Sequence, residues 1–270
     1  MSYKTIIVNL AVDADPDPTV KLSAAMAARF EAQLIGFAAA DIPPLVATEK
    51  GFVYEGGVME TRRRELEKRL ATLRNTFERL VPASIASRWM QCVHTPTHAL
   101  VAAARSADLI VTANGRGDDP FRMLDVGSLV LGAGRPVLLA ADNAEHLSGK
   151  TILVAWKDGR EARRAVTDAL PFLTRAGQVV VATMAGEPGA DIRASLADIL
   201  LFLKAHDVSA RTEVLLGEPG GHQLVEFAHM IGADVIVSGC YGHSRLREWA
   251  FGGITRTLMS EGGITRILSN

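Results

Sequence analysis

The sequence predicts an α/β protein built as two tandem units, each a five-stranded parallel sheet with helices on both faces. Three observations carry this. Short β-branched, apolar runs alternate with amphipathic stretches of helical period along the whole 270 residues, the pattern of a layered α/β fold. The apolar runs are continuous rather than alternating, as strands buried on both faces require. The pattern then restarts: Lys150-Thr-Ile-Leu-Val-Ala-Trp156 echoes Lys4-Thr-Ile-Ile-Val-Asn-Leu10, and later segments echo in the same order. The units are residues 1–142 and 150–270, joined by the small, polar stretch 142–149.

In the first unit, residues 5–12 read as a strand, broken by Asp13-Ala-Asp-Pro-Asp-Pro18. Thr19 is placed to N-cap a helix running to residue 32. Residues 33–40 form a second strand, and 41–57, with Pro43 and Pro44, a long loop. Leu66, Leu70, Leu73, Phe77 and Leu80 recur at helical spacing over 58–80, and Pro82 closes that helix. A strand at 87–93, a helix at 97–106, a strand at 108–112, a short helix at 127–132 and a strand at 136–140 complete the unit. In the second, strands at 150–156, 178–183, 210–216 and 233–238 alternate with helices at 161–174, 195–205 and 222–231. A helix opens at 254–259, and Gly-Gly-Ile-Thr-Arg, first at 252–256, recurs at 262–266 to supply the last strand.

Composition narrows the partners. With 48% hydrophobic and 22% charged residues the chain has ample core, and its formal net charge of −1 supplies no global field for nucleic acid or an anionic membrane. Arg62-Arg-Arg64 runs into Glu65, Glu67, Lys68 and Arg69, the pattern of a solvated helix face. No signal-like segment follows Met1, and no apolar run approaches the ~20 residues that span a bilayer. A soluble cytoplasmic protein is expected. Cys92 and Cys240 define neither a disulfide framework nor a metal site, and His94, His98 and His222 lack further ligands nearby. Cys240 reads as a space-filling side chain in preference to a reactive thiol. Gly-x-Ser-x-Gly is absent, so no catalytic residue is assigned.

The stretch that carries function is Gly239-Cys-Tyr-Gly242 through Gly252-Gly253-Ile-Thr255. A strand, a glycine-bearing loop and a helix N-terminus together offer unpaired N–H donors and a positive dipole end to an anion. The spacing of glycine, two residues, glycine, nine residues, glycine is neither a Walker loop nor a dinucleotide fingerprint. It resembles the nucleotide loop of the universal stress protein family, and the resemblance covers both units.

That resemblance implies a Rossmann-like, adenine-nucleotide α-hydrolase-like fold, with ATP bound where the first and fourth strands diverge. In the family a Ser or Thr follows the last glycine. Here Gly239, Gly242 and Gly252 match, while Gly253 stands in the hydroxyl's place, a loss worth ~10-fold in affinity. Thr255 is left to cap the helix. The implied nucleotide set is Gly239, Gly242, His243, Arg245, Gly252, Gly253 and Ile254, with Asp158 at the base or ribose and Met184 against the base. Lys157 is the rival positional match, Asp158 reads equally as a helix cap, and Met184 reads equally as a plain core methionine. Arg247 adds charge against Glu248 alone.

In the first unit Asn114, Gly117, Gly127 and Ser128 hold the same spacing, but Asp118, Asp119 and Asp125 face one Arg122, making that site degenerate. No metal is required, and Mg2+ would enter only with ATP. Last-strand pairing, used between family subunits, is expected within this chain as an internal pseudo-dimer; a homodimer of whole chains also fits. The expected role is a stress-response protein that binds ATP or a related adenine nucleotide in the second unit and signals by conformation. The alternatives are a dimerising scaffold that binds no nucleotide, a weak ATP hydrolase, and an ATP-activating enzyme.

Overall fold

A computed structural model describes residues 2–43, 56–115, 119–187, 189–217, 220–241 and 253–270. In the first unit the strands are β1 (Thr5–Asn9), β2 (Gln33–Ala40), β3 (Ser87–Val93), β4 (Leu109–Ala113) and β5 (Val137–Ala140). They alternate with α1 (Asp17–Phe30), α2 (Gly56–Leu80), α3 (Pro96–Ala103) and α4 (Val126–Ala133), and a 3-10 turn, Ala104–Ser106, extends α3. The second unit repeats the order with β6 (Thr151–Ala155), β7 (Gln178–Ala185), β8 (Ala210–Leu216), β9 (Val235–Gly239) and β10 (Thr265–Ser269). Its helices are α5 (Arg160–Leu173), α6 (Ala190–Ala205), α7 (Gly221–Met230) and α8 (Gly253–Ser260).

All ten strands join one sheet, ordered β3-β2-β1-β4-β5-β10-β9-β6-β7-β8. Pairing within each unit is parallel, and β1 lies between β2 and β4 just as β6 lies between β7 and β9. The seam is antiparallel: Val137, Leu138 and Leu139 of β5 face Leu268, Ile267 and Arg266 of β10. The last strands of the two units thus pair with each other within the chain.

On one face a single apolar cluster runs through both units and includes side chains of α1, α2, α5 and α6. Tyr3, Phe30 and Phe172 meet there with ring centroids 5.0–5.7 Å apart, and the Tyr3 hydroxyl donates to the Asp168 carbonyl at 2.6 Å. On the other face α3 and α4 cover the first unit and α7 and α8 the second, as two separate clusters.

Several boundaries differ from expectation for identifiable reasons. α1 begins at Asp17 with Pro16 at the N-cap, so Thr19 lies inside the first turn and is buried. Pro18 costs nothing there, because the first N–H groups of a helix have no intrahelical acceptor. α6 starts at Ala190, one turn and more before the expected residue 195. α8 starts at Gly253, which puts Thr255 within its first turn instead of at its cap.

The two Gly-Gly-Ile-Thr-Arg copies adopt different structures. The first enters α8 and exposes Arg256; the second leads into β10 and buries Arg266 completely. The Arg266 Nη1 donates to the Ile264 carbonyl at 2.5 Å, while Nε and Nη2 have no hydrogen-bond partner among the described residues. Burial pulls its pKa down to about 10 against the opposing pull of Glu261 and Asp142.

Candidate functional site

In the second unit a cavity of about 400 Å³ opens at the carboxyl ends of β6, β7 and β9. These strands lead their chains away to opposite sides, which makes this the topological switch point where open α/β sheets take ligands. Each wall follows from a strand exit or a helix start. After β6 come Trp156, Lys157 and Asp158; β7 supplies half-buried Met184 near its end; β9 supplies Gly239; and α8 supplies Gly253, Ile254 and Thr255 from its first turn. Trp156 is fixed by its indole Nε1, which donates to Ser195 Oγ on α6 at 2.9 Å.

Of the residues singled out from sequence, Asp158, Met184, Gly239, Gly253 and Ile254 thus surround one cavity. Gly242, His243, Arg245, Arg247 and Gly252 lie outside the described residues, as does Gly117 of the first unit.

Gly239 has a packing reason of its own. A Cβ there would sit 2.5 Å from the Ala162 nitrogen and 2.5 Å from the Glu161 carbonyl carbon, so the first turn of α5 closes directly on the strand exit. Around Gly253, by contrast, a Cβ would meet nothing within 4 Å among the described residues. Asp158 does not cap α5: Gly159 holds that position without a side-chain bond, and Asp158 pairs with Arg163 at 2.6 Å. Glu161, buried beside it and paired with Arg160, also lines the cavity. Sequence reading passed over Glu161; its signal was an acid in the first turn, where the helix dipole favours one.

Cys240 is buried in the apolar cluster that includes Leu129 and Leu268, and burial pushes its thiol pKa up to about 12. It fills space, as expected. Tyr241 follows with φ of 63°, a left-handed conformation uncommon for a bulky residue.

The equivalent region of the first unit is closed by its own chain. The Asp125 carboxylate accepts the Ser128 N–H at 3.2 Å and its hydroxyl at 2.6 Å, so an internal anion already occupies the N-terminus of α4. Arg122 donates to Asp13 beyond β1, and the Asp41 N–H donates to the Phe121 carbonyl at 2.7 Å. Those bonds strap residues 119–125 across the ends of β1 and β2. Among the expected repelling acids, Asp119 turns inward to accept the Phe121 N–H at 2.9 Å. Asp118 lies outside the described residues. A cavity of about 330 Å³ beyond the strap is lined by Asp41, Pro43, Arg62, Arg69 and Arg122, and includes none of Asn114, Gly127 or Ser128. Asn114 instead reaches the other unit, its Nδ2 3.5 Å from the Glu261 carbonyl.

Among the described residues no group of three or more His, Cys, Asp or Glu side chains is placed to hold a metal ion. The His94 and His98 rings are 6.4 Å apart without a third ligand. No described helix is long and apolar enough to cross a membrane.

No protein-family model matches this chain, and no curated protein matches it. Solved structures do. A universal stress protein from Archaeoglobus fulgidus DSM 4304 superposes with a TM-score of 0.73 over 98% of each chain, at 13% sequence identity. A functionally unknown protein from Pseudomonas aeruginosa PAO1 reaches 0.63 over 99% of this chain and 92% of its own, at 15% identity. Likeness over the full length of both chains, at such low identity, establishes the backbone arrangement of both units together: this chain has the fold of a universal stress protein.

Proposed function

We propose that the chain is a two-unit stress-response protein of the universal stress protein family, and that its second unit binds ATP or a related adenine nucleotide and signals occupancy by conformation. The observation that carries this reading is the inequality of the two switch points. In the first, Asp125 takes the donors at the start of α4. In the second, the corresponding sequence position is Ala250, and a cavity opens onto the first turn of α8.

The cavity suits an adenine nucleotide in two respects. Trp156, Met184 and Ile254 give it apolar wall for a base, and the α8 N-terminus gives it donors and a dipole end for a phosphate. Gly242, His243, Arg245 and Gly252 are the loop residues assigned to the phosphates, on sequence grounds. Mg2+ would arrive with ATP instead of through a protein ligand set. No residue is assigned to turnover: Asp158 is held by Arg163 and Glu161 by Arg160. The β5–β10 seam already uses the last strands inside one chain, so nucleotide binding requires no second chain, and a cytoplasmic setting supplies the nucleotide.

The test is calorimetric titration of the full chain with ATP and with AMP. Saturable heat that Gly242→Val abolishes and Gly117→Val preserves is the expected result. No heat at millimolar nucleotide would sink the reading and favour the scaffold, for which the lost hydroxyl at Gly253 speaks. Equal loss from both variants would refute the assignment to the second unit. Steady phosphate release would indicate the hydrolase.

A further inference from the structure

We propose that the second-unit cavity is mechanically linked to the first unit through Tyr241, so that what fills the cavity is read at the N-terminus of α4 across the β5–β10 seam. For its natural ligand this rests on the nucleotide reading; the linkage itself does not.

Tyr241 belongs to three places at once. It lines the cavity. Its hydroxyl lies 3.5 Å from Met259 Sδ, near the end of the same α8 whose first turn forms the opposite wall. A Cβ built on Gly127 would fall 2.4 Å from that hydroxyl, so the tyrosine occupies the space a side chain on α4 would need. Gly127 sits between Asp125 and Ser128, the two ends of the α4 cap.

The left-handed backbone at Tyr241 is a conformation that a bulky residue keeps only where its surroundings hold it. Here the surroundings belong to both units. Cys240 and Tyr241 pack with Leu129 and Val130 of α4, although β9 is a strand of the second unit. A reverse contact exists at the matching place, where Asn114, just beyond β4, reaches the Glu261 carbonyl beyond α8. Each fourth strand therefore ends against the other unit.

With Gly127 and Tyr241 in contact, no slack separates α8 from α4. Close-packed interiors transmit displacement instead of absorbing it. A group entering between Gly239 and the α8 N-terminus moves α8, Met259 carries that motion to Tyr241, and Tyr241 either presses on Gly127 or withdraws from it. The readout is the α4 cap: the Ser128 N–H bonded to Asp125 Oδ1 and the Leu129 N–H bonded to the Asp125 carbonyl at 2.9 Å.

The experiment is hydrogen exchange on the full chain, read over residues 126–133. One input needs no ligand: Ile254→Trp places a large ring at the cavity wall. The expected result is a change in α4 exchange of about 5-fold or more, the low end of ordinary allosteric coupling, that disappears when Tyr241→Ala is added. An unchanged α4 in folded Ile254→Trp, or an equal change in the double variant, would overturn the linkage. Should Tyr241→Ala fail to fold, Gly127→Ala serves: reciprocity requires it to alter exchange in residues 253–260, and silence there overturns the proposal. The second input is ATP, with binding followed by calorimetry on the same sample. Heat without a response in α4 overturns the linkage. A response to Ile254→Trp without heat from ATP supports the linkage and refutes the nucleotide reading, so the two failures are distinguishable.

Discussion

Gly239 and Ala162 approach so closely that a Cβ on the glycine would lie 2.5 Å from the alanine's backbone nitrogen. The obstacle is backbone at the start of α5, which cannot turn aside as a flexible side chain would. Gly239→Ala must therefore shift α5 or β9, an overpacking cost of about 1–3 kcal/mol. Urea denaturation should show a lower midpoint at unchanged slope. Unchanged stability would mean that the contact is slack.

Gly253 presents the opposite case. No described residue lies within 4 Å of a Cβ there, and serine is favoured at the start of a helix. Gly253→Ser should leave stability level or slightly raised while supplying the hydroxyl that the resemblance of the loop implies at this position. On the proposed nucleotide function, an affinity gain for ATP of about 10-fold is expected, the worth of one charge-assisted hydrogen bond. Calorimetry decides it, and no gain would place the phosphates elsewhere.

Asp13 and Arg122 give the first unit a pH signature. The hydrogen bond from Arg122, aided by Arg69, holds the Asp13 carboxyl below its ordinary value of 3.8. A lowered folded pKa contributes stability that is present above the ordinary value and lost as pH falls through the folded one. Asp13→Asn should therefore destabilise at pH 7 and match the parent in strong acid. Both partners reach solvent, so screening limits the difference to about 0.5 kcal/mol. Thermal melts at both pH values test the crossing.

At alkaline pH the signs combine. Burial raises the acids Tyr3, Cys240 and Tyr241, the last two to about 12. The unfolded chain releases these protons first, so stability is intact below the ordinary values of 9.0 to 10.0 and lost as pH rises toward about 12. Arg266, lowered to about 10, contributes in the opposite direction between there and 12.5. Cys92, also raised by burial, adds to them, so four raised acids against one lowered base give a net fall, which Tyr3→Phe should flatten. A flat profile from pH 9 to 12 in the parent would contradict it.

Arg266 also invites direct replacement. Two of its nitrogens are buried without a hydrogen-bond partner among the described residues, and an apolar side chain of similar volume in place of a buried charge is often neutral or stabilising by about 1–4 kcal/mol. Arg266→Met should keep or raise the melting temperature. A marked loss would assign the guanidinium a binding role at the seam.

The strands and their succession along the chain were legible because strands buried on both faces must be continuous apolar runs, and because the second unit repeats them. Local chemistry was less so. Gly-Gly-Ile-Thr-Arg reads alike at both occurrences, yet the helix or strand outcome is set by neighbours far away in sequence. Thr19 is a good cap by type, but Pro18 permits the helix to start earlier. Asp158 is found at the cavity, although which charge it meets depends on Arg163, one helical turn into α5. The Asp125 carboxylate at α4 is legible in hindsight as an acid three residues before Ser128. Sequence counted it among repelling charges, whereas the structure uses it as a tenant of the anion position.

The reversal of strand direction at β5 and β10 has a further consequence. Two identical subunits meeting at such a seam must carry identical loops, so any substitution appears on both sides. Written into one chain, the same architecture lets each loop vary alone: the sequence has Asp125 in one and Ala250 in the other, always in a one-to-one ratio. Covalent continuity thus frees the two halves of a symmetric architecture to diverge at their loops while their last strands stay paired.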